Sequence, residues 1–379
     1  MVKTHDIVVF SGDYGGPEVM AEGLKVLTDS ELPQVLGEIQ RQYQTRVTLN
    51  LKHHLLGGVS FDAYGTPVTE EALQHAQNAS AVLLGAVGGP AWQGSPIPVE
   101  SGLGRLRKAM DAFGNLRPIN FIAPALIESS SLKERVCRGA DLLIVRELSG
   151  GIYYGDRQEH DGTFNAASDL DHYDRHAIER VTRLAARLAR ATDPPLPITS
   201  LDKANLLAAC GRLWRGVVEQ TIRTEFPDLT LRHMLIDTAA MTLACRPTTL
   251  NGIVLTSNMF GDIVSDEASA IPGSLGLLPS ASLCAIPDPD GGDGVRGIYE
   301  PVHGSAPDIA GKGIINPTGM ILSVAMMLRY SLEMPDAAEA VETAVKEVIE
   351  RGCRTRDVGG TASTTEFGDA VVAYLKDHA

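Results

Sequence analysis

Asp262 and Asp266 stand four residues apart in the segment Asn258-Met-Phe-Gly-Asp262-Ile-Val-Ser-Asp266. On a helix that spacing puts both carboxylates on one face. Two such acids hold a hard divalent cation through oxygen, whereas most pairs so spaced are a solvated helix face. The flanks favour the cation. Ile253-Val-Leu-Thr-Ser before the pair and Ile271-Pro-Gly-Ser-Leu-Gly-Leu-Leu-Pro-Ser after it are apolar and glycine-rich. Carboxylates set between buried-looking segments need a cation or a base to offset their repulsion. A third acid, Asp237, lies upstream in Leu235-Ile-Asp237-Thr-Ala-Ala-Met.

Basic residues recur near glycines and aromatics. Arg107 follows Leu106, Arg117 follows Gly114-Asn-Leu, and Arg146 ends an apolar run. An arginine that closes a buried strand is costly unless it meets an anion. Together the three suit a substrate with two or more carboxylates; surface charge or structural ion pairing explains Arg107 and Arg117 as well. Lys203, in Ser200-Leu-Asp-Lys203-Ala-Asn205, sits between a strand signal and a helix signal. Desolvation beside a cation could fit it for base work, although a loop lysine is ordinarily solvated.

No GxGxxG follows the first strand, so a classical Rossmann cofactor site is not expected. Gly12-Asp-Tyr-Gly-Gly-Pro17 and Gly85-Ala-Val-Gly-Gly-Pro90 read as tight turns needing positive φ. His303-Gly304-Ser305-Ala306-Pro307-Asp308 is different: small residues let a backbone approach a nucleotide, and a carboxylate can grip a ribose diol. A plain glycine and proline loop is the other reading of it.

The elements that must position these groups are legible in outline. Strands are expected at Ile7–Phe10, Val47–Leu51, Ala81–Leu84, Leu142–Leu148, Pro197–Leu201 and Ile253–Ser257. Helices are expected at Pro17–Ser30, Thr69–Ala76, Glu100–Ala112, Ile178–Ala191, Leu206–Glu225, Pro317–Ser331 and Ala337–Arg351. Gly150–Gly155 reads as a hairpin-like segment, Asp156–Asp171 as a surface excursion and Gly291–Gly294 as a loop. Alternating strands and helices imply an α/β layer with a largely parallel sheet. The 379 residues call for one large or two medium domains. A net charge of −14 argues against nucleic acid and anionic membranes as partners. No apolar run reaches membrane-span length. Met1-Val-Lys-Thr-His-Asp runs straight into a strand, which leaves no room for a leader and implies a cytoplasmic protein. The five cysteines show no CxxC pair, so disulfides and zinc are not expected.

Taken together, these segments resemble the 3-isopropylmalate dehydrogenases among the β-decarboxylating dehydrogenases, their fungal members above all. The resemblance covers nearly the whole chain. It is carried by Leu83–Pro90, Asn115–Pro118, Val145–Tyr153, Leu201–Asn205, Phe260–Ser269, Gly273–Leu283 and Glu300–Asp308. It implies a two-domain isopropylmalate/isocitrate dehydrogenase-like α/β fold, not a classical Rossmann fold. Residues 1–112 with 273–379 would form a cofactor-binding domain, and 113–272 a domain for dimerisation, metal and substrate. It implies that Asp262 and Asp266, with Asp237 of a second subunit, bind Mg²⁺ or Mn²⁺. Arg107, Arg117 and Arg146 would bind the carboxylates of a malate. Lys203 of the second subunit would help remove the hydroxyl proton, with Asp237 beside it, and Tyr153 would protonate the enol at carbon. His303, Gly304, Ser305, Ala306, Pro307, Asp308 and Asn316 would hold the adenosine half of NAD, and Glu100 and Glu300 join the cofactor contacts. Asp308 suits free ribose hydroxyls and would repel a 2′-phosphate, which favours NAD over NADP.

Two departures from the family pattern lie beside the expected substrate pocket. The usual Gly-Leu-Leu of the substrate helix is Gly102-Leu103-Gly104 here, and the usual valine after Lys-Ala-Asn is Leu206. The resemblance makes Leu103, Gly104 and Leu206 pocket-lining residues. A mid-helix glycine costs about 1 kcal/mol relative to alanine. Drift and an altered side-chain specificity both explain it. The reading is an NAD-dependent oxidative decarboxylase of a 3-substituted malate, 3-isopropylmalate in leucine biosynthesis first. The alternative is a paralogue taking a bulkier benzyl- or hydroxybenzylmalate. A non-catalytic regulatory subunit or a pure binding module would have lost metal or base residues, and none is lost.

Overall fold

The computed structural model describes residues 2–28, 46–160, 162, 165–288 and 294–378. Its frame is a ten-stranded sheet in the order β2-β1-β3-β12-β11-β4-β5-β10-β8-β9. The strands are β1 (Val2–Gly12), β2 (Arg46–His54), β3 (Ala81–Ala86), β4 (Gly114–Asn120), β5 (Asp141–Glu147), β8 (Ile198–Asp202), β9 (Leu231–Leu235), β10 (Gly252–Thr256), β11 (Pro279–Leu283) and β12 (Gly297–Pro301). A separate pair, β6 (Arg157–Gln158) with β7 (Ser168–Asp169), lies in the exposed excursion. The outer neighbours of the large sheet run parallel. The three central pairings, β12–β11, β11–β4 and β4–β5, run antiparallel. The chain's two end segments build one half of the sheet and its middle builds the other.

Burial explains the strands that alternation does not mark. β3, β8, β10, β11 and β12 are buried at every position, as strands covered on both faces must be. Helix Thr318–Tyr330 is buried from Thr318 to Leu328, which fits its all-round apolar sequence. Caps place other helices: Thr69 accepts from Ala72 N–H, and Asp174 from Ala177 N–H. Ser363 and Glu366 form a capping box that opens the last helix, Thr364–Asp377.

Three expectations need correction or bounding. Gly150–Gly155 is no hairpin but a single 3₁₀ turn, Gly151–Tyr153. Glu147 pulls the chain round there by accepting from Ser149 and Gly150 N–H, and Gly151 takes φ +76°. The helix expected from Leu206 begins only at Cys210. The carbonyl of Lys203 accepts from both Leu206 and Leu207 N–H, and Asp202 accepts from Ala204 N–H, so residues 203–209 turn instead. The loop at Gly291–Gly294 falls outside the described residues except for Gly294, as do Asp29 and Ser30 of the first expected helix.

Buried Asp13, at the end of β1, joins three segments. Its carboxylate accepts from Gly58 and Gly88 N–H at 2.8 and 2.7 Å and from Val59 N–H at 2.9 Å. This fixes the Gly12–Gly16 turn against the Val87–Pro90 loop.

Candidate active site

The acidic helix forms as its spacing requires, over Asn258–Ala268, directly after β10. Asp262 and Asp266 share its face, and both reach Arg117 of β4, at 3.4 and 3.2 Å. Arg146, at the end of β5, pairs with Asp262 as well. Tyr153 donates its hydroxyl to the other Asp262 oxygen at 3.0 Å. Three predicted site residues, Arg117, Arg146 and Tyr153, thus converge on Asp262.

The guanidiniums are held from behind. Arg146 Nε donates to Asn258 Oδ1 at 2.9 Å. Arg117 Nε donates to Asn115 Oδ1 at 2.9 Å, and its Nη1 donates to Ser265 Oγ at 2.5 Å. Asn115, Asn258 and Ser265 were not assigned from sequence. Ser265 carried one signal, its place one turn beyond Asp262 on the same helix.

Arg107, on helix Ser101–Met110, pairs with Glu300 of β12 at 2.7 Å. Its Nε is buried without a partner among the described residues. Glu300 therefore lies against an arginine expected to bind substrate. Glu100 stands at the N-cap of the same helix, and Gly104 faces open space: a Cβ there would meet nothing within 4 Å. Leu103 is half-buried on the core side.

Electrostatics follow from this crowding. Burial and the neighbouring Arg117 push Arg146 down to about 10, and burial also lowers Arg117. Burial lowers Arg107 too, but the Glu300 charge outweighs it and the net shift is upward. For Asp262 burial is outweighed by Arg146 and Arg117, which hold it below the ordinary carboxylate range. Asp266 is raised, because burial exceeds what Arg117 offsets. One half-buried face thus carries a lowered carboxylate beside two buried arginines.

Lys203 and Asp237 lie apart from this cluster. They follow β8 and β9, at the edge of the sheet, and pair with each other at 2.7 Å. The Lys203 hydrogen bond lowers the Asp237 pKa. Leu206 is 72% exposed. Among the described residues no three His, Cys, Asp or Glu side chains gather in one chain to hold a metal. Asp262 and Asp266 offer the oxygen-only donors a hard cation takes, and any third carboxylate must come from elsewhere.

The nucleotide candidates from His303 to Asp308 form one loop. His303 donates its Nδ1–H to the Gly304 carbonyl at 2.8 Å, and burial lowers its pKa. Its Nε2 is buried with no partner among the described residues, a polar atom that a ligand would satisfy. Ser305 is buried, and Ala306 takes φ +46°. Gly304, Pro307 and Asp308 are exposed. Asn316 is buried, its side chain spanning Thr318 N–H and the Asp357 carboxylate. Asp357 also takes a hydrogen bond from Ser274, and no sequence signal marked it. The loop thus combines exposed backbone at Gly304 and Asp308 with one buried ring nitrogen left unpartnered among the described residues.

The fold recurs in known proteins. A profile of the isocitrate/isopropylmalate dehydrogenase family matches residues 6–371. The chain is 76% identical to the isopropyl malate dehydrogenase htyC of Aspergillus rugulosus, over all of this chain and 99% of that one. It is 56% identical to a 3-isopropylmalate dehydrogenase of Sordaria macrospora, over 99% of each. The crystal structure of isocitrate dehydrogenase from Methylococcus capsulatus superimposes with a TM-score of 0.83 at 29% identity, covering 98% of this chain and 99% of that one. Among the described residues no helix is long and apolar enough to cross a membrane. Matched by the family over residues 6–371 and by a relative along its whole length, the chain belongs to the isocitrate/isopropylmalate dehydrogenase family of oxidoreductases.

Proposed function

We propose that the protein is an NAD-dependent oxidative decarboxylase of a 3-substituted malate, on a branch specialised for a 3-substituent bulkier than isopropyl. The observation that carries the substituent is Gly104. It shares the helix face of Arg107, and the space where a side chain would stand is open. The fall in identity from 76% to 56% between two fungal relatives supports a branch apart from the Sordaria macrospora enzyme. A benzyl- or hydroxybenzylmalate fits this reading, and 3-isopropylmalate of leucine biosynthesis is the reading it displaces.

In this reading residues 1–112 with 273–379 form the cofactor domain, and 113–272 the metal and dimer domain. Asp262 and Asp266 hold Mg²⁺ or Mn²⁺ with Asp237 of a second copy. A bound cation supplies Lewis-acid polarisation of the hydroxyl and carboxylate oxygens, and NAD accepts the hydride. Arg107, Arg117 and Arg146 bind and orient the malate carboxylates, for which their buried charges are suited. Lys203 of the second copy takes the hydroxyl proton, and Tyr153 holds a proton for the enol carbon. The His303–Asp308 loop takes the adenosine end. Exposed Met241 and Ile263, on the packed helices Ile236–Cys245 and Asn258–Ala268, support a face for that second copy.

The test is NADH formation with Mg²⁺ against a panel of 3-alkyl and 3-aryl malates, repeated with NADP. Turnover of aryl malates at least equal in kcat/KM to isopropylmalate is expected. A strong preference for isopropylmalate returns the protein to the leucine reading, and a higher kcat/KM with NADP overturns the cofactor choice.

A further inference from the structure

The turn after β1 holds a tyrosine where glycine is expected. Tyr14 has φ +47°, two residues after Gly12 at +76°. A bulky residue keeps this conformation only where its surroundings fix it, and such positions cluster at ligand sites. The surroundings here are specific. The ring packs edge-on against Trp92, with centroids 5.6 Å apart at 75°. Trp92 donates its indole N–H to Asp62 at 2.9 Å. The Tyr14 oxygen accepts from Ala91 N–H at 3.2 Å. A Cβ added at Gly89 would collide with the ring. These contacts leave one group over. The phenolic O–H has no acceptor among the described residues, and the side chain is only half-buried.

Its place between two expected cofactor contacts gives that donor a use. Gly15 N–H donates to the Ser305 carbonyl at 2.9 Å, which sets Tyr14 beside the His303–Asp308 loop. On its other side the Gly88-Gly89 step separates it from Glu100, whose carboxylate a Cβ at Gly88 would meet. The loop is assigned to the adenosine half of the dinucleotide, and Glu100 is a further residue assigned to the same cofactor. What joins the ends of a dinucleotide is a diphosphate, anionic and rich in acceptors. We infer that Tyr14 donates its phenolic O–H to the diphosphate bridge of the cofactor, with Trp92 bracing the ring. This rests on the cofactor reading above.

Fluorescence titration with NADH and competition by ADP-ribose and AMP test the assignment on the full-length enzyme. Tyr14→Phe keeps the ring against Trp92 and loses only the hydroxyl. It should bind NADH and ADP-ribose roughly tenfold more weakly, as for loss of a hydrogen bond to a charged acceptor. AMP, which lacks the diphosphate bridge, should compete as it does in wild type, and KM for the malate should hold. Tyr14→Gly, which suits the backbone better, should lose at least as much NADH affinity while keeping or raising Tm. Unchanged NADH affinity in both variants overturns the inference. An equal loss for AMP places the contact at the adenosine end and overturns it too. A wild-type enzyme that binds malate but no dinucleotide overturns the cofactor reading itself.

Discussion

The Lys203 ammonium lies 2.7 Å from the Asp237 carboxylate of its own chain, while Asp262 is held by Arg117 and Arg146. Base and metal candidates thus form two half-sites in one protomer. If each active site joins one half from each of two copies, two dead variants should complement. Lys203→Ala and Asp262→Ala should each be inactive alone. Mixed after unfolding and refolding together, they should recover roughly a quarter of wild-type activity, because random pairing gives half heterodimers with one intact site each. Isolated heterodimers with no activity would rule out the shared site.

Metal removal should stop turnover. Asp262 and Asp266 offer only oxygen, and neither is replaced by Cys or His in the cluster. Dialysis against EDTA should abolish NADH formation and Mg²⁺ or Mn²⁺ should restore it. Asp262→Asn should be inactive with an unchanged circular dichroism spectrum, since the amide oxygen still accepts from Arg146. Full turnover after verified metal removal would refute the assignment.

The open face at Gly104 predicts a directed change in specificity. Gly104→Leu should shift kcat/KM from aryl towards isopropyl substrates by roughly ten- to a hundredfold, the range that pocket methylenes can supply. The added side chain has room in the ligand-free protein, and a leucine suits a helix interior, so Tm should not fall. An unchanged substrate ratio would make the glycine a matter of drift.

The acid limb of stability should carry a trace of Glu225. This carboxylate is lowered by its hydrogen bond from Arg183, which ties helix Arg175–Arg190 to helix Cys210–Glu225. A depressed folded pKa contributes stability above the ordinary value of 4.5 and loses it as pH falls through the lower one. The pair is largely exposed, so the contribution is below about 1 kcal/mol. Urea unfolding of Glu225→Gln should show slightly lower stability than wild type at neutral pH, and the gap should shrink as pH falls below 4.5. A gap that stays constant with pH would assign the loss to packing instead.

What the sequence made legible follows the range of each interaction. The shared face of Asp262 and Asp266 is a local, helical fact, and spacing alone reveals it. Arg146 was readable because a charge at the end of an apolar strand needs a partner. The partner of Arg107 was not readable. Glu300 is 193 residues away and reaches it only because β12 pairs with β3. The same holds for Asn115, which meets Arg117 because β4 is extended and Ser282 because β11 lies antiparallel beside it. β4, β9, β11 and β12 escaped notice because short strands, most of them covered on both faces, show no alternation. Leu206 misled in the other direction: its apolar run reads as helix, yet the turn at Lys203 leaves it exposed.

The pairing of β3 with β12 also governs how this chain can be made. On a ribosome Ala81–Ala86 emerges long before Gly297–Pro301, the strand that covers its flank. Until then the nascent sheet carries a bare edge of Val82, Leu83 and Leu84, apolar and able to template intermolecular strands. Long-range closure of this kind is slow. A chain terminated before Gly297 should therefore be insoluble rather than merely less active, and synthesis, not the finished fold, is where this protein is most exposed to aggregation.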